Sequence, residues 1–206
     1  MSDVTERKPK RGRPRAYDPD AAMDRIVDVF WKQGFAATSL DDLGAAAGMN
    51  RPSLYAAFGD KKAIYRGAVQ RFRARMRAAQ RRILDGEPDI RVALREFLLA
   101  ALKTYGGGEA EPRGCMALCT ANVEAATDAD IRADLSEIVR EIDLGLTQRL
   151  RRAKNDGQLP EGADPAALAR LTAAVMHSMA IRTRAGQPTA QLARMVDDAL
   201  AIILPD

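Results

Sequence analysis

From about residue 18 to its end, the chain repeats apolar residues at intervals of three and four, with polar positions between them. That spacing is the signature of helices with one buried face. No alternating run is long enough to propose a strand, so the pattern predicts an all-α protein of about nine helices. The first opens at Asp18-Pro19, where Asp can cap and Pro fits the first turn. Ala22, Met23, Ile26, Val27 and Phe30 form its apolar face. Gly34 ends it, and Phe35 is expected to pack back across that end. Two short helices follow within residues 38–58. A long one covers about 60–84, with Ile64, Ala68, Phe72 and Met76 as its stripe. Further helices are predicted over 88–105, 114–126, 128–154, 164–184 and 188–204. Gly106-Gly107-Gly108 reads as a flexible connection rather than a phosphate cradle, because no strand precedes it and no Gly-Lys-Ser/Thr follows.

Residues 38–58, TSLDDLGAAAGMNRPSLYAAF, carry the most local information. Thr38 and Ser39 each precede an acid by three residues (Asp41 and Asp42), as in a capping box. Leu40, Leu43 and Ala47 keep helical spacing, and Gly48 supplies a turn with positive φ. Asn50 caps a second helix that tolerates Pro52 in its first turn. Leu54 and Phe58 share its inner face, which leaves Arg51, Ser53, Tyr55 and Ala56 outside. A short helix with an N-terminal Arg and hydroxyls, propped by a capped helix before it, has the form of a helix-turn-helix reader of the DNA major groove. Arg51, Pro52 and Ser53 are expected at base edges, with Arg51 suited to a guanine O6/N7 edge. Thr38, Ser39, Tyr55 and Lys61 are expected at phosphates, and Asn50 lies among them at the helix start. Lys61 and Lys62 oppose the macrodipole of the long helix, which suggests an external anion such as a DNA phosphate; a solvated first turn capped by Asp60 is the alternative.

Composition alters this picture little, but charge distribution adds to it. The 206 residues are 47% hydrophobic and only 5% aromatic, which favours packed helices over a sandwich or barrel. Residues 1–15 carry six Lys/Arg against two acids, and residues 16–85 carry twelve against eight. Residues 86–206 reverse the balance, with fourteen against eighteen. A polyanion-binding N-terminal part followed by a part with another task fits that asymmetry. Residues 1–17 read as a basic flexible arm. Within it Arg11, Arg13 and Arg15 flank Gly12 and Pro14 in the manner of an AT-hook, which places arginines in a narrow minor groove; a solubilising tail is the alternative. The most apolar stretch, residues 166–181, contains Arg170 and His177 and is too short to span a bilayer. With no signal peptide and only two cysteines, a cytoplasmic location is expected.

Residues 20–65, and most closely FAATSLDDLGAAAGMNRPSLYAAFGDKKAIY over 35–65, resemble the N-terminal domain of TetR-family transcriptional regulators. The resemblance rests on Gly34-Phe35 leading into Thr38-Ser39, the Ala47-Gly48 turn, Leu54-Tyr55, Phe58 and Lys61. Ala57 departs from it, standing where many relatives have His, which leaves base preference open. The resemblance implies a DNA-binding domain over 18–65 and an effector-binding and dimerisation domain over 66–206. It also implies a homodimer built through the last two helices, a palindromic double-stranded operator, and a small-molecule effector whose binding releases DNA. Two-fold symmetry favours a dimer independently, since it matches paired half-sites.

In the C-terminal half, Phe97, Leu98, Tyr105, Met116, Cys119, Val123, Met176, His177 and Met179 are candidates to line an apolar effector cavity. A filled core with a satisfied His is the competing reading. Cys115 and Cys119 share a helical face. They are read as structural or pocket-lining residues, as a redox or electrophile sensor, or, least favoured, as half of a soft-metal site that no further Cys completes. No metal or cofactor is expected. A non-specific architectural DNA-binding protein is the rival to a regulator. No nucleophile–base pair, recognisable acid pair or nucleotide loop supports an enzyme.

Overall fold

The computed structural model describes residues 18–106 and 113–205. The described residues are helical, without strands, in nine α-helices. In chain order these are α1 (Pro19–Ala37), α2 (Leu40–Ala47), α3 (Arg51–Phe58), α4 (Lys61–Gly86), α5 (Ile90–Tyr105), α6 (Asn122–Glu124), α7 (Ala129–Asn155), α8 (Pro165–Arg184) and α9 (Thr189–Ile203). A π-helical stretch, Ala117–Ala121, leads directly into α6. The expected helix over 114–126 is therefore present but widened by one residue per turn at its centre, a distortion that its apolar periodicity does not encode. The second and third glycines of the Gly106-Gly107-Gly108 connection lie outside the described residues, as do Arg11, Arg13 and Arg15.

Short polar residues start most of the helices. Asp18, Ser39, Asn50, Asp60, Asp89, Asp128 and Asp164 each accept a backbone N–H from the first turn that follows. Each such cap is worth about 1 kcal/mol, because it satisfies a donor the helix itself cannot. Inside α1, Gly34 takes φ 78°, so the helix breaks there and Phe35 turns inward. Phe35 then stands 5.1 Å from the ring of Tyr65, and Phe30 stands 5.0 Å from it at 75°.

The core does not stop at the boundary expected after residue 65. Helix α4 crosses it unbroken, and one cluster of buried side chains extends from Ala22 and Phe30 through Tyr65 and Phe72 to Leu98, Met116 and Met176. Besides ion pairs, hydrogen bonds tie the N-terminal unit to the rest. The Trp31 indole N–H donates to the Gly114 carbonyl at 2.9 Å. The Tyr65 hydroxyl lies 2.8 Å from Thr120 Oγ1. Arg184 reaches the carbonyls of both Trp31 and Arg113. Burial pushes the Tyr65 phenol up to about 12, so it remains a neutral hydrogen-bonding group.

Gly114 is required at its position for two reasons. Its φ is +66°, and an added Cβ would lie 2.5 Å from the Ala180 carbonyl oxygen and 2.8 Å from Cys119 Sγ. Gly114→Ala is therefore expected to destabilise the protein by more than the roughly 1–3 kcal/mol of the backbone conformation alone. Urea unfolding at matched protein concentration checks this; an unchanged midpoint would contradict the close packing.

Candidate nucleic-acid interface

Helix α3 is the most solvent-facing helix of the N-terminal unit, with Leu54 its only buried residue. Its placement depends on the turn before it. Gly48 adopts φ 68°, and the N–H groups of Gly48 and Met49 donate to Ala45 and Gly44. The Met49 carbonyl then folds so close to Gly44 that a Cβ there would lie 2.7 Å from it. From α1, Arg25 donates to the carbonyls of Ala46 and Ala47 at 2.7 and 3.2 Å, which fastens the C-terminus of α2 to the first helix. Neither Gly44 nor Arg25 stands out in the sequence: one resembles a weak helix residue and the other a solvated charge.

The expected DNA-facing residues divide by what already occupies them. Ser53 and Pro52 are exposed on the first turn of α3, and Tyr55 is exposed one turn on. Asn50 uses Oδ1 to cap α3, accepting from Ser53 N at 2.9 Å, and so keeps its amide N–H groups available. Ser39 forms the capping box with Asp42, with Oγ 2.6 Å from the carboxylate and backbone N 2.8 Å from it. Thr38 is buried, and its hydroxyl donates to the Gly34 carbonyl at 2.6 Å. That geometry makes its side chain a staple across the α1 break rather than a free phosphate donor. Lys61 Nζ lies 4.5 Å from the Phe35 ring centroid and donates weakly to Ala36 O at 3.4 Å, so it folds over the end of α1. Its neighbour Lys62 is differently engaged, at 2.7 Å from both Asp128 and Asp130. The apparent clash of Lys62 with the α4 macrodipole is thus resolved inside the protein, by the acids at the start of α7.

Arg51 has a partner that sequence reasoning missed. Its Nε and Nη2 form a two-point fork to Asp41, at 2.7 and 2.6 Å. The pairing holds the Asp41 carboxyl below the ordinary range and the guanidinium above its own. The Nε–Nη2 edge of Arg51 is therefore already occupied, and the pair ties the two helices of the motif together.

This is the arrangement found in a family of known regulators. Residues 22–68 match the family described as bacterial regulatory proteins, tetR family, and residues 93–198 match the tetracyclin repressor-like C-terminal domain. The chain belongs to the TetR family. It is 28% identical over 196 residues to the HTH-type transcriptional repressor ComR of Escherichia coli (strain K12), covering 95% of this chain and 93% of that one. It also resembles the TetR-family regulator CifR, solved as a cysteine mutant with 26-bp double-strand operator DNA, at 32% identity and TM-score 0.82. That match covers 91% of this chain and 98% of CifR. FadR from Bacillus subtilis, solved with stearoyl-CoA, shares the fold at TM-score 0.70 and 16% identity, over 90% of this chain and 97% of that one. This TetR-family chain is a DNA-binding transcriptional regulator.

The nine residues expected around an effector cavity do not come together as one lining. Phe97, Leu98, Tyr105, Met116, Met176 and Met179 are buried in the common core, whereas Val123 is 71% exposed. Tyr105 and Met176, with Cys115, Phe72, Met76 and Ile142, border an apolar seam of only about 30 Å³. His177 is half-buried, its Nε2 has no hydrogen-bond partner among the described residues, and burial lowers its basicity. The two cysteines differ from an activated pair. Cys115 is buried, with its thiol pushed up to about 11, chiefly by desolvation. Burial also raises Cys119, whose Sγ sits 3.9 Å from the Ala180 carbonyl oxygen, and the nearby Arg184 only partly offsets this. Among the described residues no group of three or more His, Cys, Asp and Glu is placed to hold a metal ion.

Since a thiolate is the reacting species, raised thiols react slowly at neutral pH and faster as pH climbs toward their pKa. Native protein at pH 7 is expected to keep Cys115 unmodified by iodoacetamide and to modify Cys119 more slowly than a free thiol, with both reacting in denaturant. Peptide mapping reads the result; rapid native labelling of Cys115 would restore the sensor reading.

Proposed function

We infer that this protein is a homodimeric, ligand-responsive repressor that acts on a palindromic operator in the bacterial cytoplasm. The observation that carries the reading is the exposed α3 helix, with Arg51 presented as a fork beside Pro52 and Ser53. In this reading Arg51, Pro52 and Ser53 face base edges, while Ser39, Asn50, Tyr55 and Lys61 approach phosphates. Thr38, buried with its hydroxyl on the Gly34 carbonyl, positions that cluster. The arginines at 11, 13 and 15 extend it along the minor groove. The DNA-binding unit is assigned to residues 18–65, and effector binding and dimerisation to 66–206. Recognition, not catalysis, is the proposed task of both parts.

An apolar strip on the last two long helices supports the dimer. Leu171 and Ile181 on α8 are 53% and 63% exposed, and Ile202 on α9 is 80% exposed. Val175, Met195 and Ala199 lie between them, partly buried. Met179, Leu192, Val196 and Ile203 instead face the interior. The outward residues recur at helical spacing, as a helix–helix interface requires. Two such faces related by a two-fold axis would set two α3 helices on successive half-sites. An effector releases the operator only if it favours the state in which those helices no longer match the spacing. ComR is named as a repressor, and FadR binds stearoyl-CoA in its solved complex; both precedents fit this reading.

Arg51→Ala is expected to weaken the cognate operator roughly ten- to a hundredfold, with little effect on random DNA. Equal losses on both, read by fluorescence anisotropy, would favour a non-specific architectural protein. Lys61→Met should weaken all duplexes and lower the salt slope by about one. Ile202→Asp paired with Leu171→Asp is expected to give monomers by sedimentation and to abolish tight operator binding.

A further inference from the structure

One arginine in the C-terminal half is buried with no ion pair among the described residues. Arg149, on α7, is 3% exposed. Its Nη2 donates to the carbonyls of Glu87 and Pro88 at 3.0 and 2.8 Å. Its Nε and Nη1 have no partner among the described residues, so three of the five N–H bonds a guanidinium carries are unpaired there. Desolvation first and the nearby Arg152 second act against the Arg149 cation, and the opposite charges of Asp156, Asp89 and Glu87 offset them only in part. Leaving buried charged donors unmet is costly, and proteins normally avoid it by pairing.

Arg149 lines a cleft of about 310 Å³ between α4 and α7. The other charged side chains around it are Arg77, Arg81, Arg140 and Arg152, against Asp85 and Glu141 only. Glu141 is already held by Arg73 at 2.7 Å and by Arg77 at 3.3 Å. Arg152 donates to the Leu84 carbonyl. The cleft therefore presents surplus positive charge above an unsatisfied guanidinium. DNA does not explain it: Lys61 to Leu84 is about 35 Å of helix at 1.5 Å per residue, which places the cleft at the far end of α4 from α3. Capping of the α4 end is a role for Nη2 alone and leaves the other donors unmet.

We propose that this cleft is an oxyanion site, with Arg149 as its buried anchor and Arg81 and Arg152 at its mouth. The ligand chemistry is a carboxylate or phosphate group. The cleft shares Arg77, Gln80 and Glu141 with the narrow apolar seam beside Met76 and Met176. An amphiphilic anion would thus place its head on Arg149 and wedge its tail between α4 and α7. The assignment of such a molecule as the effector rests on the ligand-responsive reading above; the anion site itself does not.

Calorimetric titration of the full-length protein with inorganic phosphate, decanoate and decanol tests it. Decanoate is expected to bind at least about tenfold more tightly than decanol, in line with a charge-assisted hydrogen bond. Both Arg149→Met and the exposed-site variant Arg81→Ala should lose about tenfold or more, and Arg81→Ala keeps the test valid if loss of the Arg149 cap impairs folding. Phosphate binding as tight as decanoate, with the same arginine dependence, supports the site and identifies a free inorganic anion as the source. Equal binding of decanoate and decanol, or no arginine-dependent binding of either anion up to millimolar concentration, overturns the proposal. Operator release is measured separately: arginine-dependent binding with no release upholds the anion site and rejects its use as the effector site.

Discussion

Helix α4 serves both halves of one core, and the rest of the molecule is arranged around that constraint. Its first turns bury Ile64, Tyr65 and Ala68, which close the three-helix unit that carries α3. The same stretch, continuing to Val69 and Phe72, also packs under the C-terminal half. A three-helix unit of about fifty residues is marginal alone, because it buries too little of its surface. Here its missing stability comes from a helix it cannot move without disturbing its neighbour. Tyr65 shows the coupling at one residue: its ring packs on Phe30 and Phe35, and its hydroxyl meets Thr120 beyond the boundary.

Charge enforces the same arrangement along the flanks of α4. Toward α1, Arg71 pairs with Asp20 and Asp24, and Arg75 also reaches Asp24. Toward α7, Lys62 meets Asp128 and Asp130, Arg66 meets Asp134, and Arg73 meets Glu137 and Glu141. Single exposed pairs contribute little. A row of them at helical spacing fixes which face of α4 each neighbour sees, and so sets rotation and register more than stability. The excess of acid in the C-terminal half is thus partly a lining for the basic helix, not a separate surface.

Much of this was legible in the sequence, for reasons that can be named. Caps such as Asp18, Ser39, Asn50, Asp60, Asp128 and Asp164 are local, and local chemistry places helix starts well. The α3 motif was legible because its glycine, proline and apolar positions are each dictated by backbone geometry. Long-range partners were not. Nothing near Lys62 announces Asp128, and nothing near Thr38 shows that its hydroxyl turns back to Gly34. The nine cavity residues failed to assemble because apolar spacing states that a side chain faces inward, not whether space remains beside it. Arg149 is the same lesson reversed: a residue type expected in water proves to be buried, and only three dimensions reveal which of its donors lack partners.

In the proposed reading, the Arg51–Asp41 fork gives the reading head a built-in comparator. Before DNA arrives, the guanidinium is already held by an acceptor of matching shape. Meeting a base is therefore an exchange of one partner for another, and the net gain is only the difference between them. A duplex that offers no planar pair of acceptors leaves Arg51 on Asp41, and the pair, being net neutral, then adds no attraction to the phosphates. Such a protein dwells briefly on indifferent sequence and moves on, so that one intramolecular contact trades strength of grip for speed of search.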